Sequence, residues 1–258
     1  MGVSSGRHAE PASEPVKPLF DNRILTRLPQ GAFEAIAPFL EIVDLQVGAC
    51  LFEPGDDVTH AYFPLGGLVI AVVLPMRDGT VVEAATIGRE GAVGGVVSLG
   101  LKPAFARALV QIGGRAARIP LGRLEDGKRA APLLHDIMLR YADCFTAQVL
   151  QSVGCATLHS VEARCARWLL TMHDRLQQAE LPLTQEALAE MFGVARTYVT
   201  RIASTLQSRG AISYRRGLIR VERRAVLEEA TCECYGAVRR HFDRVLPGLY
   251  PSADPEQS

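Results

Sequence analysis

The hydrophobic period of the chain changes once, near Gly127, and that change limits what the chain can fold into. Before it, residues 42–120 carry short β-branched runs at 47–52, 61–63, 68–74, 81–86, 108–112 and 116–119. Turn signals separate the runs: Pro54-Gly55-Asp56-Asp57, Gly66-Gly67, Arg77-Asp78-Gly79 and Gly113-Gly114. Short strands at such spacing predict an antiparallel sandwich or roll. A helical pattern with Phe33, Ile36, Ala37 and Leu40 on one face precedes them. After Gly127, Leu134, Ile137, Met138, Tyr141, Phe145 and Val149 recur at three- and four-residue steps, which predicts one long helix over 131–153 with Gly154 as its break. A single apolar stripe of that length needs a partner, either the strand-rich unit beside it or the same helix of a second subunit. A second helix is expected over 160–178, with Val161, Cys165, Trp168, Leu169 and Met172 inside.

Composition removes several classes. The chain has 258 residues, enough for one large or two modest domains, with 48% hydrophobic and 22% charged residues. That balance excludes a disordered or collagen-like chain. The longest apolar stretch, 64–76, is interrupted by glycines and too short to span a bilayer, so no membrane partner is expected. Residues 1–20 lack an apolar signal region and read as a polar tail of a cytoplasmic protein. Six cysteines stand at 50, 144, 155, 165, 232 and 234 with no CxxC pair. Cys232 and Cys234 alone are too few for a structural metal, so free thiols are expected and no metal site, with a redox or metal-sensing role for some of the cysteines as the alternative. His60, His135, His159 and His173 are expected on the surface or in packing. No P-loop, GxSxG or HExxH motif marks an enzyme.

The most informative stretch is 183–221. Thr184 can cap a short helix whose inner face is Leu188, Ala189 and Phe192. Gly193 permits a tight turn, and a second helix follows over 196–208 with Val199, Ile202 and Leu206 inward: a helix-turn-helix. Ile212 and Tyr214, then Ile219 and Val221, alternate on either side of Arg215-Arg216-Gly217, which predicts a hairpin wing. Arg196, Thr197, Thr200 and Arg201 face outward on the second helix, with Tyr198 at the margin. Arginine grips guanine O6 and N7 through two bonds. The wing arginines Arg215 and Arg216, with Arg220, suit phosphates. Net charge over the chain is zero, yet residues 195–224 hold eight arginines against the single acid Glu222, a local charge of +7. Neutrality of the whole therefore does not exclude a nucleic-acid partner.

These residues resemble the Crp/Fnr family of bacterial transcription regulators. The match is carried by Leu183-Thr184-Gln185-Glu186 through Gly193, then Arg196, Val199, Arg201, Leu206, Gly210-x-Ile212 and Gly217-x-Ile219. The run Val161-Glu162-Ala163-Arg164 followed by Ala166-Arg167-Trp168-Leu169-Leu170 is similar to the helix before that motif. The resemblance implies an α+β chain: an N-terminal antiparallel β-roll of cyclic-nucleotide-binding type, a long dimerisation helix and a C-terminal winged helix-turn-helix. The implied division is a tail over 1–20, a sensor over 21–127, the dimerisation helix over 128–155, the winged helix over 156–224 and a helical extension over 225–258. It further implies that Arg196 and Arg201 reach bases or phosphates. Thr197 stands where many members carry a cytosine-reading glutamate, so the operator should differ from theirs. A homodimer through 131–153 would read a pseudo-palindromic duplex, and RNA polymerase is an implied partner.

The sensor departs from the pattern of members that bind cyclic AMP. Those use a Gly-Glu-x-Gly turn for the ribose and an Arg-Ser/Thr pair for the phosphate. Here the turn reads Gly88-Arg89-Glu90-Gly91, with the glutamate one place late, and Arg107 is followed by Ala108. Gly88, Arg89, Glu90, Gly91 and Arg107 are the candidate effector set. A cyclic nucleotide, another small ligand or anion, and a pocket without ligand all stay open. No cysteine precedes Cys50, so the clustered N-terminal cysteines of the family's iron-sulfur sensors are missing and no such cluster is expected. The expected function is a homodimeric, sequence-specific transcription regulator. The alternative is a small-ligand binding module whose helix-turn-helix does not serve DNA.

Overall fold

The computed structural model describes residues 21–95, 103–176, 179–215 and 217–250. Its order of elements follows the change of period. Seven strands come first: β1 (Glu41–Leu45), β2 (Cys50–Phe52), β3 (His60–Pro64), β4 (Val69–Pro75), β5 (Val81–Ile87), β6 (Arg107–Ile112) and β7 (Gly114–Pro120). They form two antiparallel sheets, β1-β7-β3 and β2-β6-β4-β5. Alternation does the sorting. In β6, Ala108, Val110 and Ile112 are buried while the residues between them are not. Ala108 and Val110, with Leu68, Ile70, Ile87, Val93 and Ala116, form the core between the sheets. The α+β roll is as the sequence implies.

Two elements lacked a signal. Strand β1 has no buried residue, so it shows no apolar alternation to read. Helix α3 (Leu121–Ala130) buries Leu121 and Leu124 in a run rich in charge, and its Lys128 reaches the carbonyl of Gly95 at 2.8 Å. Two short helices at the start, α1 (Arg23–Arg27) and α2 (Gln30–Glu34), pack on the same core.

The long helix α4 spans Pro132–Leu158, 27 residues, or about 40 Å. It passes through Gly154 without a break. The chain instead leaves the helix at His159, whose backbone is extended (φ −109°, ψ 148°). The predicted stripe divides between two tasks. Leu134, Met138 and Tyr141 are buried in the core of their own chain, and Phe145 packs on the inter-sheet core. On another face, Leu139, Leu150 and Val153 stay 57–67% exposed.

Helix α5 (Val161–Leu176) follows, then β8 (Glu180–Pro182), α6 (Gln185–Phe192), α7 (Arg196–Ser208), β9 (Ile212–Arg215), β10 (Leu218–Val221), α8 (Arg224–Ala230) and α9 (Cys234–Val245). The second core gathers Trp168, Leu169, Leu188, Phe192, Val199, Leu206 and Ile219, and it extends to Val69 and Ile112 of the sensor sheet. The extension is not a loose tail. Val238, Phe242, Leu246 and Leu249 enter the core shared by α1, α3 and α4, and the Phe242 and Tyr250 rings meet edge-on at 5.1 Å. Arg23 donates to the Tyr250 carbonyl at 2.9 Å.

A buried ion pair joins the two bodies. Arg175, at the end of α5, donates from Nε to Glu90 Oε1 at 2.8 Å, and both side chains are at most 2% exposed. Its guanidinium also donates to the Thr86 hydroxyl and approaches Gln148 of α4 at 3.4 Å. Glu90 Oε1 accepts the Gly88 N–H as well, at 3.0 Å. Burial by itself pulls the Arg175 pKa down; the Glu90 charge, its hydrogen bond and the nearby Tyr250 and Tyr141 together outweigh burial and leave it raised. Removing one partner strands a buried charge. Arg175→Met should therefore lower stability by about 3–5 kcal/mol in urea unfolding, while adding Glu90→Gln should restore most of that loss. Equal losses in the single and double variants would show that the pair does not couple the bodies.

Candidate nucleic-acid interface

The reading head is assembled from three local devices. Thr184 Oγ1 accepts the Ala187 N–H at 3.1 Å and starts α6. Gly193 closes it in the left-handed conformation (φ +63°), where a side chain would be strained, and the Val194 N–H returns to the Ala189 carbonyl at 3.0 Å. Val199, Ile202, Ala203 and Leu206 then bury one face of α7. The opposite face leaves Arg196, Thr197, Thr200 and Arg201 exposed, with Tyr198 half-buried at the margin as expected. The Arg201 guanidinium lies over the Tyr198 ring at 4.6 Å. That stacking holds the arginine extended along the helix surface.

Two neighbours were not singled out from the sequence. Glu186 pairs with Arg196 at 2.5 Å, and Gln185 accepts from the Thr200 hydroxyl at 2.8 Å. Both sit in the first turn of α6, beside the start of α7. An acid there also suits the helix dipole, which gave Glu186 a local reason to be present and concealed its link to Arg196.

The wing is a hairpin with Arg215 opposite Leu218, and β8 adds a third strand, pairing Leu181 with Ile219. Arg215 is exposed at the tip; Arg216 lies outside the described residues. The other arginines of the +7 segment divide in purpose. Arg223 donates to the Gly210 and Arg209 carbonyls, capping the end of α7. Arg224 is spent on Asp174 and Glu228, each at 2.8 Å. Arg220 stands 3.8–3.9 Å from Glu222 and Glu180. The charge open to a partner is thus smaller than +7: among the described residues, Arg201 and Arg215 have no carboxylate partner, while Arg196 is exposed but paired with Glu186.

The candidate effector set is not assembled around a pocket. The turn at Gly88 to Gly91 is held as a structural joint. Glu90 is taken by Arg175, and the Asn22 amide donates to the Gly91 carbonyl at 2.9 Å. A side chain at Gly91 would collide with the Tyr141 phenol. Arg89 is half-buried, and burial lowers its pKa. Arg107 forms an ion pair with Glu53 at 2.8 Å. None of the five lines the sensor cavity. That cavity is about 430 Å³ and is walled by Val72, Leu74, Phe105, Phe145 and Val149 among other apolar residues. Its size falls in the range of small-molecule sites. Among the described residues, no charged side chain lines it.

The cysteines also differ in placement. Burial pushes the Cys144 and Cys165 thiols up to about 12, so both are inert at neutral pH. Cys232 and Cys234, read as too few for a metal, are joined in space by Cys155 and His159.

Comparison with known proteins agrees with this geometry. Residues 163–230 match the Crp-like helix-turn-helix domain. Among curated proteins, none matches the chain by sequence. Among solved structures, FixK2 from Bradyrhizobium japonicum superposes with a TM-score of 0.65 at 15% identity, covering 75% of this chain and 98% of that one. The c-di-GMP-responsive global regulator CLP of Xanthomonas campestris gives 0.61 at 15% identity, over 76% and 100% of the two chains. A Crp/Fnr-family transcriptional regulator from Thermus thermophilus gives 0.59 at 19%, over 74% and 97%. At such identities the likeness is one of fold. Residues 163–230 carry a Crp-like helix-turn-helix domain, and the chain shares the fold of solved Crp/Fnr-type regulators. Among the described residues, no helix is long and apolar enough to cross a membrane.

The cavity yields a direct test. The neutral dye N-phenyl-1-naphthylamine should brighten on adding the native chain, and Ala84→Trp, which fills the cavity, should abolish the gain. Cyclic AMP should leave the dye bound; displacement by cyclic AMP would overturn the apolar assignment.

Proposed function

We propose that this chain is a homodimeric, sequence-specific DNA-binding transcription regulator that works in the cytoplasm. The observation that carries the reading is the exposed face of α7 on a Crp-like domain. Arg196, Thr197, Thr200 and Arg201 project from a helix whose other face is locked in the core. A helix so presented fits the major groove, where arginine discriminates guanine by about 1–3 kcal/mol per good bidentate contact. Arg215 at the wing tip would hold a phosphate and fix the register. Gln185, hydrogen-bonded to Thr200, is added to the interface on geometric grounds.

Dimerisation is supported by the face of α4 that its own chain leaves uncovered. Leu139, Leu150 and Val153 recur at spacings of eleven and three, and so fall on one side of the helix. Isologous pairing of that stripe would bury it and present two recognition helices to a pseudo-palindrome. RNA polymerase is the downstream partner such a regulator would address.

The sensor cavity favours an apolar small effector over a cyclic nucleotide, because among the described residues no cation faces it to receive a phosphate. The cavity is walled in part by Phe145 and Val149 of α4, so a bound molecule would act directly on the dimerisation helix.

Two measurements test the proposal. Genomic fragments selected by the purified chain should share a pseudo-palindrome and bind with strong salt dependence. Arg196→Ala with Arg201→Ala should weaken that binding by about a hundredfold or more in gel-shift titration. No preference for any duplex would favour the ligand-binding alternative. Separately, Leu150→Glu with Val153→Glu should convert the chain to a monomer by light scattering and remove the two-site footprint. A stable dimer in that variant would place the interface elsewhere.

A further inference from the structure

Three sulfurs and an imidazole converge where the long helix ends. Cys155 and His159 are one turn apart on the last turn of α4, and Cys232 and Cys234 lead into α9. Their ligand atoms all lie within 4.8 Å of one another. Cys155 Sγ and Cys232 Sγ are 3.6 Å apart, and Cys234 Sγ stands 3.4 Å from His159 Nδ1. A tetrahedral zinc ion with Zn–S near 2.3 Å and Zn–N near 2.0 Å has S···S edges of about 3.8 Å and S···N edges of about 3.5 Å. The two observed separations are such edges. The three cysteines are buried and His159 is half-buried, so water has little access to the centre of the group.

The surroundings are those of a ligand set. His159 turns Nδ1 toward the sulfurs and directs Nε2 to the Glu233 carboxylate at 3.2 Å. A carboxylate on the far nitrogen fixes the tautomer and orientation of a metal-bound imidazole. Gln151 donates its amide to Cys234 Sγ at 3.1 Å, a bond that stabilises a thiolate more than a thiol. The three thiols are gathered in one buried cluster with Ala163 packed against it.

We infer that Cys155, His159, Cys232 and Cys234 form a four-coordinate site for a thiophilic divalent cation, with zinc as the occupant. Three thiolates and a neutral imidazole leave no open position, which makes the site structural. It would cross-link the end of α4 to the entrance of α9 across 77 residues of sequence, the stretch that contains the whole helix-turn-helix. Metal occupancy would thereby set the root of the DNA-reading unit. The site stands on its own geometry and not on the DNA-binding proposal.

The test uses the full chain under reducing conditions. Purified protein should carry one zinc per chain after exhaustive dialysis. Stripped with a chelator and titrated with Co²⁺, it should take up one ion per chain. The spectrum should show intense visible bands of a tetrahedral ion and a near-ultraviolet thiolate-to-cobalt charge-transfer band, both erased by Zn²⁺. Zinc should also raise the Tm of the stripped chain. Cys232→Ser and His159→Ala should each weaken Co²⁺ uptake by at least tenfold, whereas Cys50→Ser, at an exposed cysteine away from the group, should not. Should a variant fail to fold, the wild-type cobalt spectrum decides alone. Absence of tetrahedral cobalt bands in the stripped, reduced chain would overturn the inference. So would a Cys155–Cys232 disulfide in chains that hold no metal.

Discussion

Arg175 and Glu90 meet in a place no water reaches, and the relation between the sensor and the reading head depends on that meeting. Glu90 belongs to the turn after β5, and Arg175 to the last turn of α5. Two buried charges gain little net stability over a well-packed apolar pair. Their effect is on alternatives. If α5 shifted, each would become a lone charge in apolar surroundings, at a cost far above that of a missing hydrogen bond. The pair therefore selects one docking of the two bodies. Trp168 adds to it by donating to Glu83 across the same boundary at 3.1 Å, and Gln111, in the same sheet as Glu83, donates to that carboxylate at 3.1 Å. Burial pushes the Glu83 carboxyl up, and these two donors oppose that rise.

The same pair explains why the sensor lacks the polar character that its turn hints at. A carboxylate committed to an internal arginine cannot also hold a ribose, and Arg107 is likewise committed to Glu53. What remains is a chamber shaped by branched and aromatic side chains. Selectivity in such a chamber comes from shape more than from hydrogen bonds.

Periodicity carried the fold well because most elements bury one side. The alternation of β6, the cap at Thr184, the turn at Gly193 and the wing glycine Gly217 were all legible, since each rests on local chemistry. Strand β1 was not, because it is an edge strand without a buried residue. Nothing in the sequence sets Arg175 apart from the other charges of α5; its burial follows from a contact 85 residues away. The arginines of the reading head were legible as a count but not as roles, since Arg223 and Arg224 differ from Arg201 only in what folds against them. The sulfur cluster was hidden for a like reason. Spacing rules find ligands contributed by one loop, and here the second pair arrives from the far end of the chain.

The extension after the wing changes the mechanics of the molecule. A domain hung from one flexible joint can turn about three axes. This one leaves the long helix at His159 and is fastened to that helix again where α9 lies along it. Attachment at two points removes two of the three rotations and leaves a single swing, like that of a door on two pins. One pin is the foot of α4, where Cys155 and His159 meet Cys232 and Cys234; the other is the seat of Val238 and Phe242 in the core that α9 shares with α4. Any rotation of α7 relative to α4 is thereby confined to an arc about the line through these two points.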